Sequence, residues 1–334
     1  MKHLRVSFIL LLTLLACFGS FVTTFAQVQV INQRQIAMLE KAKRPHDPWP
    51  RGDGHALIGE PGSPLIQKGY HEPGGSFTPS PGGFSVSIWV LDKQGKLIAT
   101  SDNIPMEKIQ QQYIHKGDSK IPSIENTTPY YTSTWTRTDA GVWTLELGDQ
   151  CDSCNIELVF RSVGPAGGPL SSVIWDQSRI ILDRKWIGKL DVAPSSIIIG
   201  DESTGELQKA KPGKESVVSE SGWGFARLGI DKSFKLTLTD TRPQYGSMLS
   251  YNKTSPQFSL QMPDKRFEAS LTAQLSTLMM GYIGRQTGPG EPINYPLAWE
   301  RDGAYSLMAM AKSGSARTAA RLPGSRIDPS FYLV

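Results

Sequence analysis

Val142-Trp143-Thr144-Leu145-Glu146-Leu147 and, after a short gap, Ile156-Glu157-Leu158-Val159-Phe160 decide the fold of this 334-residue chain. In the first, Trp143, Leu145 and Leu147 fall on one side of a period of two; in the second, Ile156, Leu158 and Phe160 do. That is the pattern of strands with one face on a core. Between them lie Cys151 and Cys154, and the arrangement predicts a hairpin whose loop carries both. A single Cys-x-x-Cys offers too few ligands for structural zinc. A thioredoxin-type pair would open a helix in a βαβ unit. The remaining expectation is a short structural disulfide.

The same alternation extends outward in both directions. It predicts strands at 84–91, 97–100, 130–137, 173–182, 196–199, 222–228 and 234–238, punctuated by turns such as Asp92-Lys93-Gln94-Gly95 and Thr138-Asp139-Ala140-Gly141. Many strands with few helices imply an antiparallel β-sandwich over 82–261. Trp89, Trp135, Trp143, Trp175, Trp186 and Trp223 sit on or beside these strands, where tryptophan fills a core more often than it stacks on sugars. Asn126-Thr127-Thr128 and Asn252-Lys253-Thr254 match the glycosylation pattern.

Toward the start, residues 1–26 read as a secretory signal: Lys2 and Arg5, an apolar run over 6–15, and a small-residue exit at Ala26. The expected location is therefore secreted or periplasmic. Leu14-Leu15-Ala16-Cys17 is the rival signal, a lipobox that would anchor the chain at Cys17. No later apolar run approaches a membrane span, which takes about 18 residues. Residues 27–81 are rich in Gly and Pro and read as an irregular arm with one short helix at 32–43. Within the arm, His46, Asp47, Asp53 and His55 read as solvated loop residues rather than metal ligands, and Arg51-Gly52-Asp53 as a chance tripeptide. The formal charge is +4, but two charges belong to the signal and a net three to 312–334, leaving −1 over 27–311. That balance argues against a nucleic-acid partner.

Toward the end the period changes to that of helices. Pro263-Asp264 opens a helix with Phe267, Leu271, Leu275, Leu278 and Met279 at helical spacing, closed by Gly281 and Gly284. A second helix is expected over 302–312, with Asp302 as N-cap, Lys312 near its end and Gly314 beyond. The loop between contains Gly288-Pro289-Gly290-Glu291-Pro292. It leads into Asn294-Tyr295-Pro296-Leu297-Ala298-Trp299-Glu300-Arg301-Asp302-Gly303. Two aromatic faces, a forked cation and a carboxylate within eight residues form a kit for holding a sugar. Ring carbons pack on Tyr295 and Trp299, while Arg301 donates to hydroxyls and Asp302 accepts from them.

Tyr295, Trp299, Arg301 and Asp302 in this order, at the start of a helix that follows an amphipathic one, resemble the opening of the catalytic domain of six-hairpin glycosidases, in particular the glucoamylase-like family 15 glycoside hydrolases. The resemblance implies the first hairpin of an (α/α)6 barrel over 262–312, behind an N-terminal β-sandwich. It also implies that the Trp, Arg and Asp line the pocket for a non-reducing terminal sugar. No metal or organic cofactor is implied, and the partner is an oligosaccharide or polysaccharide such as an α-glucan.

Glycosidic cleavage needs two carboxyl groups, an acid and a base or nucleophile. In the family these are glutamates on later loops, and neither Glu291 nor Glu300 matches their positions. Only 72 residues follow Met262, and 313–334 reads as an atypical tail. The expectation is a barrel cut after its first hairpin, inactive alone. The reading from another class is a non-enzymatic carbohydrate-binding or cell-envelope interaction module whose working part is the sandwich.

Overall fold

The computed structural model describes residues 48–49, 51, 55–115, 119–149, 151–164, 168–205, 207–231, 233–249, 261–287 and 300–315. The first half of the chain gives β1 (Ala56–Ile58), β2 (Gly69–His71), β3 (Phe77–Thr78), β4 (Ser85–Asp92), β5 (Leu97–Thr100), β6 (Gln110–Ile114), β7 (Ser123–Thr127), β8 (Tyr131–Asp139) and β9 (Val142–Asp149). There follow β10 (Cys154–Arg161), β11 (Ser172–Asp176), β12 (Arg179–Leu182), β13 (Trp186–Leu190), β14 (Ser196–Asp201), β15 (Ser216–Val218), β16 (Gly224–Ile230) and β17 (Phe234–Asp240). Helix α1 (Lys265–Met280), a two-stranded ribbon of β18 (Tyr282–Ile283) and β19 (Gln286–Thr287), and helix α2 (Glu300–Met310) complete the described strands and α-helices.

The molecule is mainly β, with two large antiparallel sheets. One has eight strands in the order β1-β2-β3-β4-β10-β16-β14, with β5 also paired to β4; the other has nine, in the order β15-β11-β12-β13-β17-β9-β8-β7-β6. Their inner faces share one core. Ile88, Val90, Leu158, Phe160 and Leu228 from the first sheet meet Trp135, Trp143, Leu145, Leu236 and Leu238 from the second. Phe77 stacks on Trp135 at 4.2 Å between ring centroids and meets Trp143 edge-on at 4.8 Å, geometries favoured by the ring quadrupoles.

The central strands β4 and β10 are buried along almost their whole length. Their second faces carry Trp89, Leu91 and Val159, which form a separate cluster with Ile198, Leu207 and Phe225. Within it Arg227 donates to Glu157 through Nε at 2.7 Å and Nη2 at 3.0 Å, and its guanidinium lies 5.3 Å from the Trp89 ring centroid. A covered outer face explains why these strands read as nearly continuous apolar runs.

Four expectations need correction. The gap between 147 and 156 is no hairpin: β9 pairs with β8 and β17, whereas β10 pairs with β4 and β16. The apolar faces of the two strands meet across the core, so the chain crosses between sheets there. Segment 173–182 is two strands, β11 and β12, turning at Gln177, whose φ of 54° no Gly or Pro announces. The segment 27–81 is not wholly an irregular arm, because β1, β2 and β3 extend the eight-stranded sheet from its edge; strands of two or three residues are too short to show a period. Finally, α2 already includes Glu300, so Asp302 lies inside the helix rather than at its N-cap. The helix expected at 32–43 lies outside the described residues.

Candidate functional site

The helical segment is seated on one end of the sandwich. Asp264 caps α1, its carboxylate accepting from the Arg266 N–H at 2.9 Å, which satisfies one of the donors a helix leaves unpaired at its start. At the other end, Met280 packs within the sandwich core. Met279 and Tyr282 instead join Leu249, Leu307 and Met310, so that α2 is held against α1. The loop after β1 pairs with the ribbon: Gly62 N donates to Tyr282 O at 2.9 Å and Gly284 N to Ser63 O at 3.3 Å.

Lys68 lies fully buried at this junction. Its Nζ donates to the carbonyl of Met280 at 2.5 Å and to that of Glu60 at 3.0 Å. Last-turn carbonyls of a helix lack intrahelical partners, and a lysine suits them. Burial pushes the amine well below its ordinary pKa; nearby Arg137 adds to the shift and Glu60 opposes it.

Arg301 and Asp302 lie within α2. Tyr295 and Trp299 lie outside the described residues, as does the loop 288–299. No family model and no curated protein matches the chain. The site is therefore read from chemistry alone.

Other candidates resolve by geometry. Cys151 and Cys154 are joined by a disulfide with Cα atoms 5.3 Å apart; it closes the crossover between sheets, where Lys93 Nζ donates to Cys154 O at 3.1 Å. Trp89, Trp135, Trp143, Trp186 and Trp223 are buried, so none of these five is a sugar platform, and Trp175 is partly buried against the core. Asn126 is fully buried and its amide nitrogen lies 2.9 Å from His71 Nε2; it is no glycan acceptor in the folded protein, and Asn252 lies outside the described residues. His55 packs against Tyr70 with ring centroids 4.9 Å apart. Among the described residues no group of three His, Cys, Asp or Glu side chains is placed to hold a metal.

One feature was not legible in the sequence. The edge strand β6, reading Gln-Gln-Gln-Tyr-Ile, is too polar at its start to announce a strand, yet with α1 it encloses a groove of about 960 Å³. Tyr113 Oη and Thr277 Oγ1 lie 3.1 Å apart across the junction, as do His115 Nε2 and Ser276 Oγ.

Proposed function

We propose that this chain is the β-sandwich and opening helical hairpin of an exported glucoamylase-like glycoside hydrolase acting on the non-reducing ends of α-glucans or related oligosaccharides. In this reading the hairpin is the first of an (α/α)6 barrel. Trp299 and Tyr295 pack on the terminal sugar, Arg301 donates to its hydroxyls and Asp302 accepts from two of them. A carboxylate in that position contributes strongly once water is excluded, because a hydrogen bond to a charged partner is worth more than a neutral one.

The observation that carries the reading is the seating of the hairpin. Helix α1 is fastened to the sandwich through Met280 and Lys68, and α2 packs on α1 through Leu307 and Met310. A rigid mount of this kind supports the turn that bears Arg301 and Asp302, and preorganisation of the groups that hold a substrate is what a glycosidase pocket needs. Saturation-transfer NMR and calorimetric titration with maltotriose test it. Binding that falls at least about tenfold in both Asp302→Asn and Arg301→Met is expected; unchanged binding in both would remove the sugar-holding role.

A further inference from the structure

The geometry points to a second carbohydrate site, separate from Arg301 and Asp302: the groove between β6 and α1 binds a stretch of neutral oligosaccharide chain. The groove exists because the two walls touch only at one end. Tyr113 and His115 meet Thr277 and Ser276 in the second half of α1. Toward the start of the helix the residues turned to β6 are Ala269, Ser270 and Ala273, whose side chains are too short to reach the strand. The space of about 960 Å³ is at the upper end of the range for ligand sites.

The lining selects the ligand. Gln110, Gln111 and Gln112 line the strand side of the groove and Gln274 and Ser270 the helix side, and no carboxylate is among the described residues that line it. Its one cation, Arg266, is engaged by Asp264 through Nε at 3.0 Å and Nη2 at 2.6 Å. The carboxylates beside the lining are engaged as well, Asp264 by Arg266 and Glu125 by Gln112 Nε2 at 2.7 Å, so the charges at the groove already have partners. An apolar ligand would strand amides without partners. Sugar hydroxyls both donate and accept, and an amide wall offers both. The half-buried ring of Tyr113, fixed by its hydroxyl contact with Thr277, supplies an apolar surface for a sugar face.

The wall is also held in place from behind. Gln111 Nε2 lies 3.0 Å from Nδ1 of His71, a fully buried imidazole whose Nε2 lies 2.9 Å from the buried Asn126 amide. A neutral imidazole accepts at one nitrogen only: accepting from Gln111 at Nδ1, it donates from Nε2, where the Asn126 amide must turn its otherwise unpartnered oxygen toward the ring. Burial keeps His71 neutral, with its pKa lowered to about 3. Gln111 thus presents an oriented amide rather than a swivelling one, which lowers the ordering cost of binding.

The test uses the full chain, with maltoheptaose and cellohexaose as probes in calorimetric titration, and thermal melts to verify folding. Ala273→Trp fills the groove and Gln111→Leu removes the oriented amide; each is expected to weaken binding of at least one probe about tenfold or more, with the same binding retained in Asp302→Asn. Should Ala273→Trp fail to fold, Gln110→Leu combined with Gln111→Leu decides in its place. Binding lost only in Asp302→Asn would uphold the α2 site and overturn the groove. Failure of both probes to bind, or tighter binding of a charged polymer such as polygalacturonate or of an extended peptide along β6, would overturn it as well.

Discussion

The buried Nζ of Lys68 donates to the carbonyl of Met280, so one side chain from the first edge of the sandwich closes the last turn of the helix that follows it nearly two hundred residues later. Lys68→Met keeps most of the apolar stem but leaves the Met280 and Glu60 carbonyls without this donor. At about pH 10, where the neutral amine no longer carries a penalty relative to the unfolded chain, a loss of about 1–3 kcal/mol is expected in urea unfolding. The pH dependence is distinctive. With the folded-state pKa lowered beneath the ordinary 10.5, the unfolded chain holds the extra proton between the two values, so stability climbs with pH across that window. Lys68→Met should abolish the climb up to about pH 10. Above it the buried tyrosines Tyr113, Tyr131 and Tyr282, whose pKa values burial raises, pull stability down in both proteins.

His71 governs the acid side. Its pKa falls from 6.5 to about 3 on folding, so the unfolded chain takes up a proton that the folded one refuses, and stability is lost as pH drops from 6.5 toward 3. The full effect is up to about 5 kcal/mol. Asp264, stabilised as an anion by hydrogen bonds from Arg266, and Glu268, by those from Lys265, act only at lower pH. Of these three groups only His71 acts in the interval from about pH 4.5 to 6.5. Urea midpoints measured across it should slope in the parent and lie nearly flat in His71→Gln; equal slopes would show that another group carries the linkage.

Arg161 and Glu202 form a buried ion pair, and Arg161 Nη1 also donates to Pro48 O at 2.5 Å. Removing one partner strands a charge away from water. Glu202→Ala should cost about 3–5 kcal/mol in chemical denaturation, while Arg161→Met with Glu202→Leu should recover most of it. A double variant no better than the single one would show that the pair contributes beyond mutual neutralisation.

The Cys151–Cys154 link closes a very short loop, so it removes little freedom from the unfolded chain. Replacing both residues by serine should lower stability by no more than about 2 kcal/mol. Non-reducing peptide mapping should recover the two cysteines cross-linked, and free thiols at both positions would contradict the bond.

What the sequence revealed follows from how each element buries itself. Long strands with one apolar face, such as β9, and the capped helix α1 carried their periods openly. The partner of each strand was less visible, because β9 and β10 meet through side chains across the core while their backbones pair elsewhere. Strands β1 to β3 are too short for a period to register, and β6 presents glutamines where a pattern search expects valine or isoleucine. The groove is hidden for a related reason: its helix wall consists of Ala269, Ser270 and Ala273, whose importance lies in the volume they leave. Arg301 and Asp302 were conspicuous as a chemical set, although both lie within α2 rather than at its cap as their own pattern implied.

Because β6 is the last strand of the nine-stranded sheet, its outward backbone groups would be a ready template for another chain, and α1 lies alongside it. The opposite edge, β15, is only three residues long, although Val218 on it is 75% exposed. Helix α1 covers the Tyr113–His115 end of that edge, so a chain whose hairpin detached from Lys68 and Met280 would lay the whole of β6 open to edge-to-edge pairing, an aggregation route that needs no unfolding of the sandwich.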